Sequence, residues 1–402
     1  MRRILLCQSG ANDSGSGLSM LQVARGLRDS GCYEPYLLFS YSGPLSERAL
    51  RDGYRVIIHP LAAFNYSAFG KFRLGSLIWF ISEIGSASKQ VERTIKGNRI
   101  DIVYINTSAP VAPALVAHRL HIPVVWHVRE ALAKNSPIGK WQIELIKNSS
   151  DIILANSDFV AGVIGDSSKT IRIYNGVPLA LYEQASSSRN MIRASWGLDD
   201  STLIIGQVGV ISRSKGCFTL VDSARLLSSE APSIRFVMLG KSSVPQWYSQ
   251  TIRGRIRRLL NQEYDPFLQL KAYIEKMGLS DQIILEGWRE DIPEIMSAID
   301  ILVFPSLYPE GFGRPLIEAG AAGRPVIASN LGPSSEIIID KVTGLLIPPG
   351  EHIALAQSIK TLIQNPDLRY QMGLEGKKRV ALLFSEKMYL EKIMEVFKRI
   401  SG

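Results

Sequence analysis

Apolar residues in this chain alternate between two patterns. Short apolar runs such as Ile4–Cys7 are bounded by charge, proline or glycine and suit strands buried on both faces. Longer stretches carry apolar positions three and four apart and suit helices. In "GLSMLQVARGLRDSG" (Gly17–Gly31), Leu18, Leu21, Val23, Ala24 and Leu27 form one broad stripe. The strand-like runs in the first half are Ile4–Cys7, Tyr36–Ser40, Arg55–His59, Asp101–Asn106, Pro123–His127 and Ile152–Asn156. Those in the second half are Leu203–Val208, Ile234–Leu239, Gln282–Glu286, Ile299–Phe304, Pro325–Ala328 and Gly344–Ile347. Strand–helix alternation predicts an α/β protein with doubly wound parallel sheets. The alternation restarts after "NGVPLALYEQASSSRNMIRASWG", which opens on a turn and carries a polar, loop-like centre. The expected division is a Rossmann-like domain at 1–178, rejoined by a C-terminal amphipathic helix at 385–402, and a second at 179–384. The two are expected to face a central cleft, with ligands at the carboxyl ends of the strands.

Length supports that division, since 402 residues suffice for two cores. Apolar content of 46% and charged content of 21% are ordinary for a globular chain. The net charge of +9 fits acidic partners, whether nucleotide phosphates, anionic lipid or nucleic acid, and does not choose among them. Cys7, Cys32 and Cys217 are scattered without a Cys-x-x-Cys pair and read as reduced, buried thiols of a cytoplasmic protein. The five histidines have no metal-ligand spacing and no Asp-x-Asp occurs, so neither metal nor cofactor is expected. "MRRILLCQSG" has too brief an apolar run for a secretory leader, and Leu77–Ile81 is far short of the ~20 residues of a spanning helix.

The densest chemistry lies in "FPSLYPEGFGRPLIEAGAAGRPVIAS" (Phe304–Ser329). A buried strand ends at its start, and Pro309, Gly311 and Gly313 then make a turn. A helix follows with Pro315 near its first position, where a missing N–H costs nothing. Glu310 falls on the turn and Glu318 about one turn inside the helix. A helix N-terminus attracts anions, and two acids beside it suit sugar hydroxyls, which a carboxylate accepts side by side.

Two other loops follow first strands. "QSGANDSGSG" (Gln8–Gly17) has Gly15 and Gly17, but Met20 stands where a dinucleotide fingerprint needs its third glycine, and Ser16 where a P-loop needs lysine. What remains is a small-residue loop that either turns tightly or admits a ligand to the backbone. "GQVGVISRSKGCFTL" (Gly206–Leu220) places Arg213 and Lys215 just before a helix, as a diphosphate site would require or as solvated loop charges would stand.

Taken in order, "WHVRE", "ANSDFVAGVI", "IYNGVP", "VGVISRSKG", "ILEGWREDIPEIMSAIDILVFPS" and "YPEGFGRPLIEAGAAGRPVI", with its Glu-x7-Glu, resemble the retaining GT-B glycosyltransferases of family 4 over about the whole chain. The resemblance implies hexose transfer from a nucleotide sugar, with the anomeric configuration kept and no bound metal. It implies that Glu318 holds the ribose hydroxyls, and that Glu310 binds the donor sugar together with the backbone of Gly311, Phe312 and Gly313. Lys215 would neutralise the diphosphate, and the helix start at Pro315 and Leu316 would contact phosphate. Trp288 and Arg289 would line the base pocket, and Gly15, Ser16 and Gly17 would close over the diphosphate. His127 would stand near the donor sugar's C6 or anomeric centre, with Glu130 the nearest carboxylate to a nucleophile in the first domain. One position departs from the family. Val210 stands where an arginine usually follows the glycine, so either Arg213 supplies that charge or Lys215 acts alone. Uridine is the expected base, and a glycan, glycolipid or lipid-linked molecule the expected acceptor.

Other readings compete. An epimerase on the same fold would return an altered donor rather than a glycoside. A binder of nucleic acid or of an anionic surface would need a basic, aromatic-interleaved face, and nucleic acid is not expected as a partner. A Rossmann dehydrogenase lacks its third glycine. "QWYSQTIRGRIRRLLNQ" (Gln246–Gln262) places Arg253, Arg255, Arg257 and Arg258 around an apolar stripe. It is either a packed helix with solvated arginines or a contact for an anionic membrane surface on the cytoplasmic side, with "FNYSAFGKFR" (Phe64–Arg73) as its acceptor-side partner.

Overall fold

The computed structural model describes residues 1–12, 14–64, 74–165, 168–228, 234–242 and 265–402. The chain divides into two compact units, one of Met1–Gly176 with Glu386–Gly402 and the other of Val177–Ser385. Each holds an all-parallel sheet. Of the three cysteines expected to be buried, Cys7 and Cys217 are, whereas Cys32 is exposed just ahead of the strand Tyr33–Phe39.

In the first unit the strands are β1 (Arg2–Gln8), β2 (Tyr33–Phe39), β3 (Arg55–Ile58), β4 (Ile102–Asn106), β5 (Val124–Val128), β6 (Ile152–Ala155) and β7 (Thr170–Arg172). Their order is β3-β2-β1-β4-β5-β6-β7, so the order reverses between β1 and β4, where such sheets bind ligands. β4 and β5 are buried along their whole length, which is why they read as nearly unbroken apolar runs. β7 was not anticipated. It is a three-residue edge strand of half-buried residues, too short to show a period. The C-terminal helix Glu386–Ser401 packs on this unit, burying Tyr389, Ile393, Val396 and Phe397 beside Tyr33 and Tyr104. Gln22 and Arg25 of the helix Gly15–Asp29 hold its first residue, Glu386, at 2.7 and 2.5 Å.

In the second unit the strands are β8 (Leu203–Val208), β9 (Ile234–Leu239), β10 (Ile283–Glu286), β11 (Ile301–Phe304), β12 (Val326–Ser329) and β13 (Gly344–Ile347). Their order is β10-β9-β8-β11-β12-β13, with the reversal between β8 and β11. An arginine cluster ties the unit's entry segment to its sheet. Arg189 and Arg193 each meet a different oxygen of Asp300 at 2.6 Å. Arg189, Arg193 and Arg324 also donate to carbonyls at the end of the helix Ile292–Ala298, capping its negative end.

Candidate active site

The loops after β8 and β11 meet at the reversal point of the second sheet. Gly216 makes this contact work, for its φ is +69° and a Cβ there would lie 1.9 Å from the Pro305 carbonyl oxygen. Only glycine admits that approach. Leu307 N donates to Ser214 O at 2.8 Å, and Gln207 Nε2 of β8 donates to Lys215 O at 2.8 Å. Lys215 is thereby placed with Nζ 2.6 Å from Glu310 Oε2. Ser306 Oγ donates to the other oxygen, Glu310 Oε1, at 2.6 Å. The helix Arg314–Ala321 follows, and Glu318 is 8% exposed with Arg314 Nε 3.2 Å from its Oε1. Two carboxylates and a cation thus surround a helix start, an arrangement suited to a polyhydroxylated, anionic ligand.

Other residues expected here differ in what they offer. Leu316 is 1% exposed and its amide donates to Gly313 O at 3.0 Å, so the first helical turn uses the group expected at phosphate. Phe312 is buried and packs against Phe384, their centroids 5.9 Å apart. Arg213 is turned onto the Phe218 ring, 4.1 Å from its centroid. Trp288 is exposed at the surface under Lys241, whose Nζ is 4.5 Å from the ring centroid. Arg289 pairs with Glu286 at 3.0 Å and with Asp291. Val210 is exposed.

The first unit gathers polar groups at the carboxyl ends of β1, β4 and β5. Alternation along a strand puts His127 and Arg129 on one face, and Tyr104 and Asn106 on the same face of the neighbour, with Asn106 in register with His127. Asn106 Nδ2 donates to Gln8 Oε1 at 2.5 Å and to Ser16 O at 3.0 Å, which ties the small-residue loop to the sheet. Gly17 has a packing role, since a Cβ there would lie 2.5 Å from Leu45 Cδ2. Ser14 caps the helix Gly15–Asp29 through Gly17 N, and its Oγ lies 3.2 Å from Ser16 Oγ. Asp13 lies outside the described residues.

Arg129 is the hub of this network. Its Nε donates to Asn106 Oδ1 at 2.7 Å and its Nη1 to Asn175 Oδ1 at 2.5 Å. Its Nη2 reaches Tyr389 Oη at 2.9 Å, His127 Nδ1 at 3.2 Å and Tyr104 Oη at 3.4 Å. His127 is fully buried, and burial, aided by the charge of Arg129, holds its imidazole well below the ordinary value. Burial pushes Tyr104 well above its own. Glu130 Oε2 accepts from the amides of Ser108 and Arg129 at 2.9 and 3.2 Å, yet burial still raises its carboxyl above the usual range. Sequence reasoning missed Arg129, Tyr104, Tyr389 and Ser306. The polar residues Tyr104 and Asn106 inside a fully buried strand were the available signal.

Among the described residues, no three His, Cys, Asp or Glu side chains cluster as metal ligands, and no helix is long and apolar enough to cross a membrane. The basic segment Gln246–Gln262 lies outside the described residues, and of Phe64–Arg73 only Phe64 is described.

Two Rossmann-like domains, the second with paired acids and a cation at its switch point, define a GT-B glycosyltransferase. The model for glycosyl transferases group 1 matches residues 188–379, and that for glycosyltransferase family 4 matches residues 14–181. The chain belongs to this glycosyltransferase family. It is 24% identical over 370 residues to alpha-D-kanosaminyltransferase of Streptomyces kanamyceticus, covering 84% of this chain and 88% of that one. It is 26% identical over 326 residues to the UDP-Gal:alpha-D-GlcNAc-diphosphoundecaprenol alpha-1,3-galactosyltransferase of Escherichia coli, covering 77% and 75%. The crystal structure of Anabaena Alr3699/HepE in complex with UDP and glucose shares the fold, with a TM-score of 0.80 at 22% identity over 99% of this chain and 100% of that one.

Proposed function

We propose that this glycosyltransferase moves a hexose from a UDP-sugar to a glycan, glycolipid or lipid-linked acceptor with retention of anomeric configuration and without a bound metal. The observation that carries this reading is the Lys215–Glu310 pair at the β8/β11 switch point, with Glu318 one turn into the adjoining helix. In this reading Glu318 holds the ribose, Glu310 the sugar hydroxyls, and Lys215 the diphosphate. Support for uridine comes from the neighbour solved with UDP and from the galactosyltransferase relative whose name carries UDP-Gal. That same relative's name carries a lipid-diphosphate substrate, which supports a lipid-linked acceptor.

The step runs on one face of the sugar. The bond from C1 to the β-phosphate oxygen breaks, the acceptor oxygen bonds to C1 from the same side, and the acceptor's proton passes to the departing phosphate. Lys215 stabilises the charge that develops on that phosphate. The test is a binding panel of UDP-, GDP- and ADP-sugars, followed by product analysis by NMR with the best donor. A glycoside with the donor's anomeric configuration is expected. Inverted product, an epimerised donor, or no binding of any nucleotide sugar overturns the reading.

A further inference from the structure

We propose that Glu130 sets acceptor specificity on the first unit, taking a hydrogen bond from an uncharged hydroxyl and turning away an anionic group. The word acceptor rests on the reading above, in which the groups that carry donor binding belong to the second unit. Transfer needs a second substrate, and an open parallel sheet binds ligands at the carboxyl ends of its strands. Glu130 stands at such an end, just past Val128, the last residue of β5. It is partly exposed, whereas His127 and Arg129 before it are buried.

The backbone decides which of its oxygens is free. Oε2 accepts from Ser108 N at 2.9 Å and from Arg129 N at 3.2 Å, and no described residue donates to Oε1. Ser108 is aimed by its neighbour. Thr107 has a φ of +77°, a left-handed conformation that a β-branched residue rarely adopts. Its amide donates to His127 O at 3.0 Å, and its carbonyl accepts from Trp126 Nε1 at 2.8 Å. Gln142 Nε2 donates to Ser108 O at 3.0 Å. Strain of this kind persists where the surroundings fix it, and it gathers at ligand sites.

Hydrogen-bond acceptors are in excess around Glu130. Gln142 and Asn156 are 0% and 2% exposed, and neither Gln142 Oε1 nor Asn156 Oδ1 has a partner among the described residues. Each amide nitrogen donates to a carbonyl, Gln142 to Ser108 and Asn156 to Arg129 at 3.3 Å, so the unpaired atom of each is its oxygen. Both therefore adjoin the backbone that grips Glu130. Burial raises the Glu130 carboxyl above the usual range, while the two amides favour its ionised, acceptor-only form. The nearby cation is committed elsewhere, since Arg129 directs its guanidinium at Asn106, Asn175 and Tyr389. A hydroxyl supplies the proton that Oε1 lacks. A phosphate or carboxylate would add negative charge beside a carboxylate and two unpaired carbonyl dipoles. Selection then comes from repulsion as well as attraction.

The test uses the full chain, deuterated and labelled with 15N, with no sugar nucleotide present. The probes are the methyl α-glycosides of glucose, galactose and N-acetylglucosamine, each beside its 6-phosphate. At least one neutral glycoside is expected to shift the Ser108 and Arg129 amide signals, which report the two bonds to Glu130. It should bind about 10-fold or more tightly than its 6-phosphate. Glu130→Gln keeps the shape and places an amide N–H where Oε1 was, so this preference should shrink by about 10-fold. The wild-type shifts and the wild-type preference decide the matter if that variant does not fold. No shift at Ser108 with any neutral glycoside, a wild-type preference for the phosphates, or an equal preference in the two folded proteins overturns the proposal. UDP is then added to each protein and should bind both alike. Absence of UDP binding in both counts against the nucleotide-sugar reading, and leaves a hydroxyl site that is not an acceptor site.

Discussion

Lys215 Nζ stands 2.6 Å from Glu310 Oε2, so a cation from the loop after β8 is paired with an acid from the loop after β11. Neither residue is deeply exposed, and Ser306 fixes the other carboxylate oxygen. The pair ties the two proposed functions together, because a diphosphate and Glu310 both draw on the same ammonium.

Glu310→Gln removes the charge that competes for Lys215. UDP should bind this variant at least as tightly as the wild type, while transfer from a UDP-sugar falls by about 100-fold, or roughly 2.7 kcal/mol. Lys215→Met should instead weaken UDP by about 1.5–3 kcal/mol. Calorimetry with UDP and initial rates separate the two. Weaker UDP binding in Glu310→Gln, at a level matching Lys215→Met, would contradict the assignment.

Glu318 is buried and ion-paired to Arg314, so replacing it by alanine tests stability as well as binding. Glu318→Gln keeps the shape and removes the charge. Its donor KM should rise about 10- to 100-fold, the loss of one charge-assisted partner, with a smaller change in kcat. Glu318→Ala should add a drop in Tm, because Arg314 loses its partner. Unchanged donor KM in a folded Glu318→Gln enzyme removes the ribose role.

Arg193→Met breaks a pair whose arginine is 1% exposed and leaves Asp300 short of one of its two arginines. Removing one member of a buried pair costs about 3–5 kcal/mol. Urea unfolding of the full chain should show the midpoint of the second unit lowered, with UDP binding kept below the transition. A loss under about 1 kcal/mol would show the cluster to be ordinary surface charge.

The lowered pKa of His127 makes a signed prediction for stability. The unfolded chain takes up a proton at the ordinary value of ~6.5, and the folded chain does so only at lower pH. Between the two, the unfolded state holds more protons, so stability falls as pH falls, by about 1.4 kcal/mol per pH unit. His127→Gln should flatten that slope below pH ~6.5 and leave the neutral-pH behaviour of the other titrating groups alone. Parallel slopes in both proteins would show that His127 is not the group responsible.

Transfer should continue in EDTA. The sequence has no Asp-x-Asp to hold a metal on a diphosphate, and Lys215 is the cation proposed to carry that charge. Full loss of activity in EDTA with recovery on adding manganese would reverse the proposal of metal independence.

The sequence by itself determined the two parallel αβ halves and the turn and helix that carry Glu310 and Glu318. These are local matters. Strand and helix periods, the Gly and Pro residues of the turn, and the eight-residue step between the acids are written in neighbouring positions. It did not disclose β7, whose three half-buried residues have no period to read. Nor did it disclose that Gly216 lets one loop rest on the Pro305 backbone, that Leu316 spends its amide within its own turn, or that Glu318 is buried against Arg314. The Gly216 contact and the burial of Glu318 depend on which strands lie side by side, and parallel pairing is set by contacts between distant segments. The same holds for the network around His127. "WHVRE" placed a histidine and an arginine on one face of a strand, but Tyr389 joins them only because the C-terminal helix packs on the first sheet. Burial there removes water as a partner, and without water each proton must be assigned to a particular protein atom.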